Sequence, residues 1–290
     1  MVSIKIKDFD LGKIAESGQC FRMNYIGKGT YSIVAFGKYI EISQYQDIVI
    51  LSCDEEEYQL IWRDYFDIDT DYEAIRNSAK IDDFLNAAMS YSSGIRILKQ
   101  DLWEMIITFI ISQRKSINNI KDCVQRLCIN YGEHLFNGKN CYFTFPTPEV
   151  LSKVPVEDLR ACGLGYRDEY VYNAAQWCLN NMTFDTNNNC YIMTKYPDIT
   201  NNYTYAKSIL MQITGVGDKI ANCICLFALH QLEACFIDTH MQQIIDKIYN
   251  GIMPEWMVND KAGVLQQYAF YYKRLFHMER NMPYGKRKTV

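Results

Sequence analysis

Over the first fifty residues apolar and polar side chains alternate in short runs: SIKIKDF, CFRMNYI, TYSIVAF, YIEISQY and DIVILSC, with GKG and GK between the central ones. Period-two alternation broken by glycine-containing pairs predicts an antiparallel sheet built from hairpins. From about Glu55 the period lengthens. The runs EEEYQLIWRDYF, DDFLNAAMSYS, LWEMIITFIISQ and INNIKDCVQRLCINYG repeat apolar residues every three to four positions, as helices do. Pro146, Pro148 and Pro155 punctuate two short helices, PEVLSKV and VEDLRACG, the second closed by G-L-G at 163–165. The polar run TFDTNNNC reads as a loop before the helix YTYAKSILMQI. After MQITGVGDKIANCICLFALH comes FIDTH, whose Asp238 or Thr239 would cap the helix MQQIIDKIY, and VLQQYAFYYKRLF makes a last aromatic helix.

The pattern predicts an α+β fold: an N-terminal antiparallel β-sheet domain with flanking helices over 1–90, then a mostly α-helical core over 91–290. A chain of 290 residues, 49% of them apolar, can bury a sizeable core. No run of eighteen uncharged apolar residues occurs, and the start MVSIKIKDFD lacks the apolar centre of a signal peptide. The expectation is an intracellular protein without membrane association, cytoplasmic with the nucleoid if the source is prokaryotic. Repeats and low-complexity segments are absent; the tail GKRKTV is basic.

Composition changes this picture in two places. The eleven cysteines include no C-x-x-C pair and none follows Cys235, which argues against a disulfide framework, a zinc ribbon or a C-terminal cluster-binding quartet. The net charge of −4 is uneven: residues 54–83 hold eleven acidic and three basic side chains, leaving the rest of the chain at +4. An anion-binding face is therefore compatible with an acidic total, because the local field decides phosphate contact.

The stretch ITGVGDK concentrates the candidate chemistry. Two glycines between two helices allow positive φ or close approach of another backbone, and the free N–H groups of the second helix can receive a phosphate. A plain αα-hairpin reads the same glycines equally well. Lys219 lies on the first turn of that second helix, where the helix field and any burial disfavour an ammonium and favour the neutral amine of a nucleophile. The alternative is a surface lysine whose stem lies on apolar neighbours. Nineteen residues on, Asp238 stands at a helix start, where a carboxylate is comfortable as a cap or as a catalytic anion.

With these residues in view, the chain resembles the helix-hairpin-helix glycosylase superfamily, and within it the 8-oxoguanine DNA glycosylase/AP lyases. The resemblance is carried by GVGDKIANCICLFALH with FIDTHMQQI, and by SGQCFR, ILKQDLWEMIITFIIS, CGLGYRDEYV and AGVLQQYAF, in order along nearly the whole chain. It implies a two-lobed helical core with the hairpin at about 204–229, duplex DNA containing 8-oxoguanine as partner, and a monomer. No cofactor is required and no iron–sulfur cluster is expected.

By the same resemblance Lys219 is the nucleophile that forms a Schiff base and permits β-elimination, and Asp238 stabilises positive charge on the sugar. The base pocket is Gly18, whose carbonyl meets the lesion's extra N–H, with Cys223 and Phe270 on the two faces of the base and Gln266 on its pairing edge. Phe270 and Gln266 are four apart on one helix and so can share a face. Gly215, Gly217 and His240 contact the phosphates, and Tyr166 is the wedge that props the base step apart. Arg114, Asn119 and Arg167 match the positions that read the opposite base; only Arg167 keeps the residue found in the eukaryotic members, so weaker discrimination for cytosine is expected. Backbone carbonyls of Met211, Ile213 and Val216 match a structural cation site, monovalent or divalent. Thr214 stands where the family usually has proline, which puts the hairpin's rigidity in question. A non-catalytic helix-hairpin-helix DNA-binding protein is the competing reading; it needs the hairpin but neither the Lys219 and Asp238 pair nor the pocket.

Overall fold

The alternating runs pair into one antiparallel sheet: β1 (Val2–Lys5), β2 (Met23–Gly27), β3 (Thr30–Ala35), β4 (Lys38–Tyr45) and β5 (Ile48–Leu51), in the order β1-β5-β4-β3-β2, with α1 (Leu11–Glu16) between the first two strands. These elements come from a computed structural model that describes residues 1–79 and 82–276; the tail GKRKTV lies outside the described residues. Register sets the core face. Ile33 opposes Ile40 and Ile42 opposes Leu51, so all four turn to one side and are buried. That face is covered by Trp62, Tyr65 and Phe66 from a segment in which α2 (Glu55–Glu57) and α3 (Arg63–Tyr65) are joined by a π turn, Tyr58–Trp62. The indole N–H of Trp62 donates to Glu57 Oε1 at 2.8 Å, so the ring is buried without an orphaned donor.

The second core belongs to helices α4 (Tyr72–Ser78), α5 (Asp83–Tyr91), α6 (Leu102–Ser112), α7 (Ile117–Tyr131), α8 (Pro148–Leu151), α9 (Val156–Leu159), α10 (Asp168–Asn181), α11 (Tyr203–Leu210), α12 (Asp218–Phe227), α13 (Thr239–Ile248) and α14 (Ala262–Phe276). Residues 102–111 of α6 are all buried, as expected of a helix apolar all round, and the other helices assemble about it. Its one acid, Glu104, meets Arg22 of the sheet side at 3.3 Å.

Three features depart from the sequence reading. TFDTNNNC is a hairpin, β8 (Thr183–Asp185) with β9 (Cys190–Ile192), because Asp185 accepts from Asn187 N and Asn188 Nδ2 and closes a polar turn between short paired strands. A further hairpin, β6 (His134–Phe136) with β7 (Cys141–Phe143), and the whole of α10 are additions. Helices α4 and α5 pack with the later helices: Tyr72, Ile75, Phe84, Leu85, Ala88 and Met89 join the helical core, where α5 lies against α14.

One loop connects sheet to site. Gln19 donates to the Arg96 carbonyl, accepts from Leu98 N, and its own carbonyl accepts from Gln100 Nε2, each at 2.8 Å. On the other side Gln267 Nε2 donates to the Ser17 carbonyl at 2.7 Å. The segment SGQC is thereby clamped between residues 96–100 and α14.

Candidate active site

The hairpin is α11, a turn over 211–217, and α12. Gly215 has φ +89, and a Cβ there would stand 2.7 Å from the Tyr170 ring, so conformation and space both require glycine. Its carbonyl accepts from Gln113 Nε2 at 3.1 Å. Ile213 and Val216 are buried, and the Val216 N–H donates to the Ile213 carbonyl at 2.9 Å. These contacts supply rigidity that Thr214, in place of proline, does not. Lys207 and Asp218 clasp the two helices at 2.6 Å. Gly217 caps α12 without a side-chain bond, and a Cβ there would meet nothing within 4 Å, so the approach to the start of α12 is open at this residue.

Lys219, one residue inside α12, is exposed. It lies on the rim of a cavity of about 690 Å³, which Asp238, Gly18, Cys223, His240 and Phe270 also line. That volume falls within the range of small-molecule sites, about 300–1,000 Å³. Asp238 caps α13, its Oδ1 accepting from Met241 N at 2.8 Å, which fixes the carboxylate while leaving its second oxygen for the cavity. Cys223 reports on both charges. Burial pushes its thiol up, Lys219 opposes that and Asp238 reinforces it, so the amine and the carboxylate act on one sulfur atom.

Opposite Cys223 the wall is aromatic. Gly18 has φ +82, and a Cβ there would meet the Phe270 ring and the Ile117 side chain at 3.4 Å, so any larger residue would press into the space beside Phe270. His240 stands edge-on to Phe270 with centroids 5.3 Å apart. The floor is Phe109 stacked on Phe227 at 5.6 Å, with Phe21 and Phe236 edge-on to that pair.

Not every expected residue reaches this cavity. Gln266 is 1% exposed and its amide is spent on one backbone unit: Nε2 donates to the Phe236 carbonyl at 2.6 Å and Oε1 accepts from Phe236 N at 2.8 Å. The cavity wall carries Gln267 instead, three residues from Phe270 rather than four. Both spacings share a helix face, so periodicity alone does not choose between the two glutamines. Lys115 and Arg274 also line the cavity and were not singled out from sequence; a basic run after FIIS was the only signal for Lys115.

On the outer surface Tyr166 is 52% exposed, edge-on to Tyr170, with the Arg167 guanidinium 4.3 Å above its ring. Arg167 itself is turned inward. It is buried and donates to the carbonyls of Leu164 and Gln113, so in this conformation it supports the wedge rather than reaching outward. Arg114 is exposed at φ +52, just beyond α6, and Asn119 is exposed on α7. Among the described residues no group of three or more His, Cys, Asp and Glu could hold a metal. The carbonyls of Met211, Ile213 and Val216 are neutral donors of a different kind, suited to a hard cation, and that of Ile213 already accepts one hydrogen bond.

Two family models match the chain in succession. Residues 1–106 match the N-terminal domain of 8-oxoguanine DNA glycosylase, and residues 107–256 match the HhH-GPD superfamily of base excision DNA repair proteins. The chain belongs to the HhH-GPD superfamily, in its 8-oxoguanine DNA glycosylase branch. Among superfamily members it is 29% identical to the N-glycosylase/DNA lyase of Saccharomyces cerevisiae, over 86% of this chain and 70% of that one. A solved structure of MBOgg1 with a low-affinity DNA ligand is 30% identical, with a TM-score of 0.85 over 95% of this chain and 96% of that one. The 8-oxoguanine glycosylase/lyase of Clostridium acetobutylicum, solved with duplex DNA carrying cytosine opposite 8-oxoG, is 28% identical, with a TM-score of 0.83 over 96% and 99% of the two chains.

Proposed function

We propose that this chain is a bifunctional DNA glycosylase and AP lyase that turns 8-oxoguanine out of duplex DNA and excises it through a Schiff base on Lys219. The observation that carries the reading is one cavity whose rim holds both Lys219 and Asp238 and whose walls are Gly18, Cys223 and Phe270. The N–H groups beyond Gly215 and Gly217, with His240, receive the phosphates of the strand, and Tyr166 fills the step that the extruded base leaves. Extrusion costs a few kcal/mol, which stacking between Phe270 and Cys223 offsets.

The lesion is recognised at the Gly18 carbonyl. An 8-oxoguanine presents an N–H there, whereas guanine presents a lone pair and leaves the buried carbonyl unsatisfied, at a cost of about 1–3 kcal/mol. Gln267, or Gln266 after releasing Phe236, reads the pairing edge. Lys219 attacks C1′ through the lone pair of its amine. The C–N bond to the enzyme forms as the bond to the base breaks, and the base leaves with the electron pair and takes up a proton. Opening of the sugar gives the Schiff base; loss of a proton from C2′ then expels the 3′ phosphate. Asp238 stabilises the positive charge that builds on the sugar. A hard cation held by the carbonyls of Met211, Ile213 and Val216 would stiffen the hairpin and takes no part in these bonds.

Borohydride tests the reading. It should trap a covalent adduct with an 8-oxoguanine duplex, and Lys219→Gln should abolish the adduct while DNA binding persists. Binding without any adduct from the unaltered chain would reduce it to a DNA-binding module. Opposite-base preference is the finer part of the proposal. Arg114 and Asn119 differ from the eukaryotic pattern and Arg167 faces inward, so excision rates opposite the four bases should differ by less than about a hundredfold, equivalent to about 2.7 kcal/mol. A steeper preference for cytosine, measured on a four-duplex panel, would refute that part alone.

A further inference from the structure

One turn along α14 from the cavity-lining Phe270 lies a charged group that the reaction above does not use. Lys273 of α14 is 0% exposed. Its Nζ donates to the His240 carbonyl at 2.7 Å and to Gln243 Oε1 at 2.6 Å, both on α13. Asp238, His240 and Gln243 all belong to the start of α13, and Phe270, which meets His240 edge-on, is one turn back on the helix that carries Lys273. One buried ammonium thus joins the helix bearing the aromatic wall to the helix bearing the carboxylate.

We propose that Lys273 is a positioning residue of the active site: its buried ammonium holds the first turn of α13, and with it Asp238 and His240, in register with Phe270. The inference rests on the glycosylase reading given above. Burying an ammonium is unfavourable even with two acceptors, because neither of them carries a charge. Stability alone therefore does not account for a lysine here, and its neighbours point to the site.

Burial pulls this ammonium down to about 8, against the attraction of Asp238 and with the help of repulsion from Lys247. Of the elements packed on α14, α13 also carries His240 and Asp246, α5 carries Asp83 and Tyr91 with Asp82 at its cap, and the turn Glu255–Val258 carries Glu255; among the described residues Asp238 and Lys247 act on the ammonium. The folded value lies below the ordinary 10.5, so the unfolded chain binds the extra proton between the two and stability rises with pH across that window. Activity should run the other way, falling as the ammonium loses its charge.

The test is single-turnover excision of 8-oxoguanine from pH 6 to 10, with thermal melting of the same samples. The unaltered chain should show a falling alkaline limb centred near pH 8, and Gln243→Leu, which removes one acceptor, should move that limb to lower pH. Lys273→Met should abolish the limb and lower kcat about tenfold at pH 7 with KM for DNA changed less than twofold. Wild-type kcat and an unchanged limb in Lys273→Met would overturn the inference while leaving the glycosylase reading intact. Should Lys273→Met not fold, an alkaline limb unmoved by Gln243→Leu would overturn it instead. Absence of excision by the unaltered chain would overturn both.

Discussion

Gln266 and Gln267 are adjacent, buried and bonded to backbone, yet they serve different parts of the molecule. Gln266 spans both polar groups of Phe236, so Gln266→Ala leaves a half-buried N–H and a half-buried carbonyl without their partner. The expected loss is about 2 kcal/mol or more in urea unfolding. Gln267 touches the loop beside Gly18 and lines the cavity, so Gln267→Ala should cost less stability and more selectivity. Measured as the ratio of excision from 8-oxoguanine and guanine duplexes, selectivity should fall about tenfold for Gln267→Ala and less for Gln266→Ala; the reverse order would return the reading role to Gln266. At this scale the sequence was informative wherever residue type was restrictive. Gly18, Lys219, Cys223, Asp238 and Phe270 meet at one cavity. It was uninformative where two equal residues shared a helix face, and for Arg167, whose inward turn depends on carbonyls brought near only by the fold.

Among elements the hairpin is the most legible, because Gly215 answers to a steric demand that no other residue meets. Gly215→Ala would force a left-handed residue against the Tyr170 ring. The expected cost is about 1–3 kcal/mol in stability, with weaker DNA binding and an unaltered rate once DNA is saturating. Calorimetric melting and a fluorescence titration would check it; unchanged binding would mean that the turn does not contact the duplex. The strands were equally legible from alternation. Helix α10 escaped notice although Val171, Ala174, Ala175 and Cys178 follow helical spacing, because alanine and cysteine give a weak apolar signal amid polar neighbours. The hairpin at 183–192 escaped because strands of three residues carry too little alternation to be seen.

At the scale of the whole molecule the two cores are tied by buried polar contacts. Asp67, beside the sheet, accepts from Thr70 Oγ1 at 2.8 Å and from the Tyr72 hydroxyl at 2.7 Å, and lies 3.1 Å from His230 Nε2, just beyond the helix that carries Lys219. Burial pushes its carboxyl up, but His230 and the two hydroxyls outweigh this and hold it below the ordinary 3.8. A depressed carboxyl stabilises the fold above its unfolded value, and the contribution is lost as pH falls through the folded one. Asp67→Asn should therefore lower stability by about 3 kcal/mol at pH 7 and flatten the acid limb of an unfolding curve; an acid limb as steep as in the unaltered chain would assign it elsewhere. None of this cross-linking was legible in advance, because Asp67 and His230 are 163 positions apart and each reads alone as a surface residue.

The bare tip of the hairpin has a last implication. On the proposed reading, a hairpin tip with no side chain at Gly217 to sense one nucleotide from the next would grip the duplex without regard to sequence, as a runner on a uniform rail. Choice would then be deferred to the chamber behind it, and patrol and inspection would be separate events that can be altered independently.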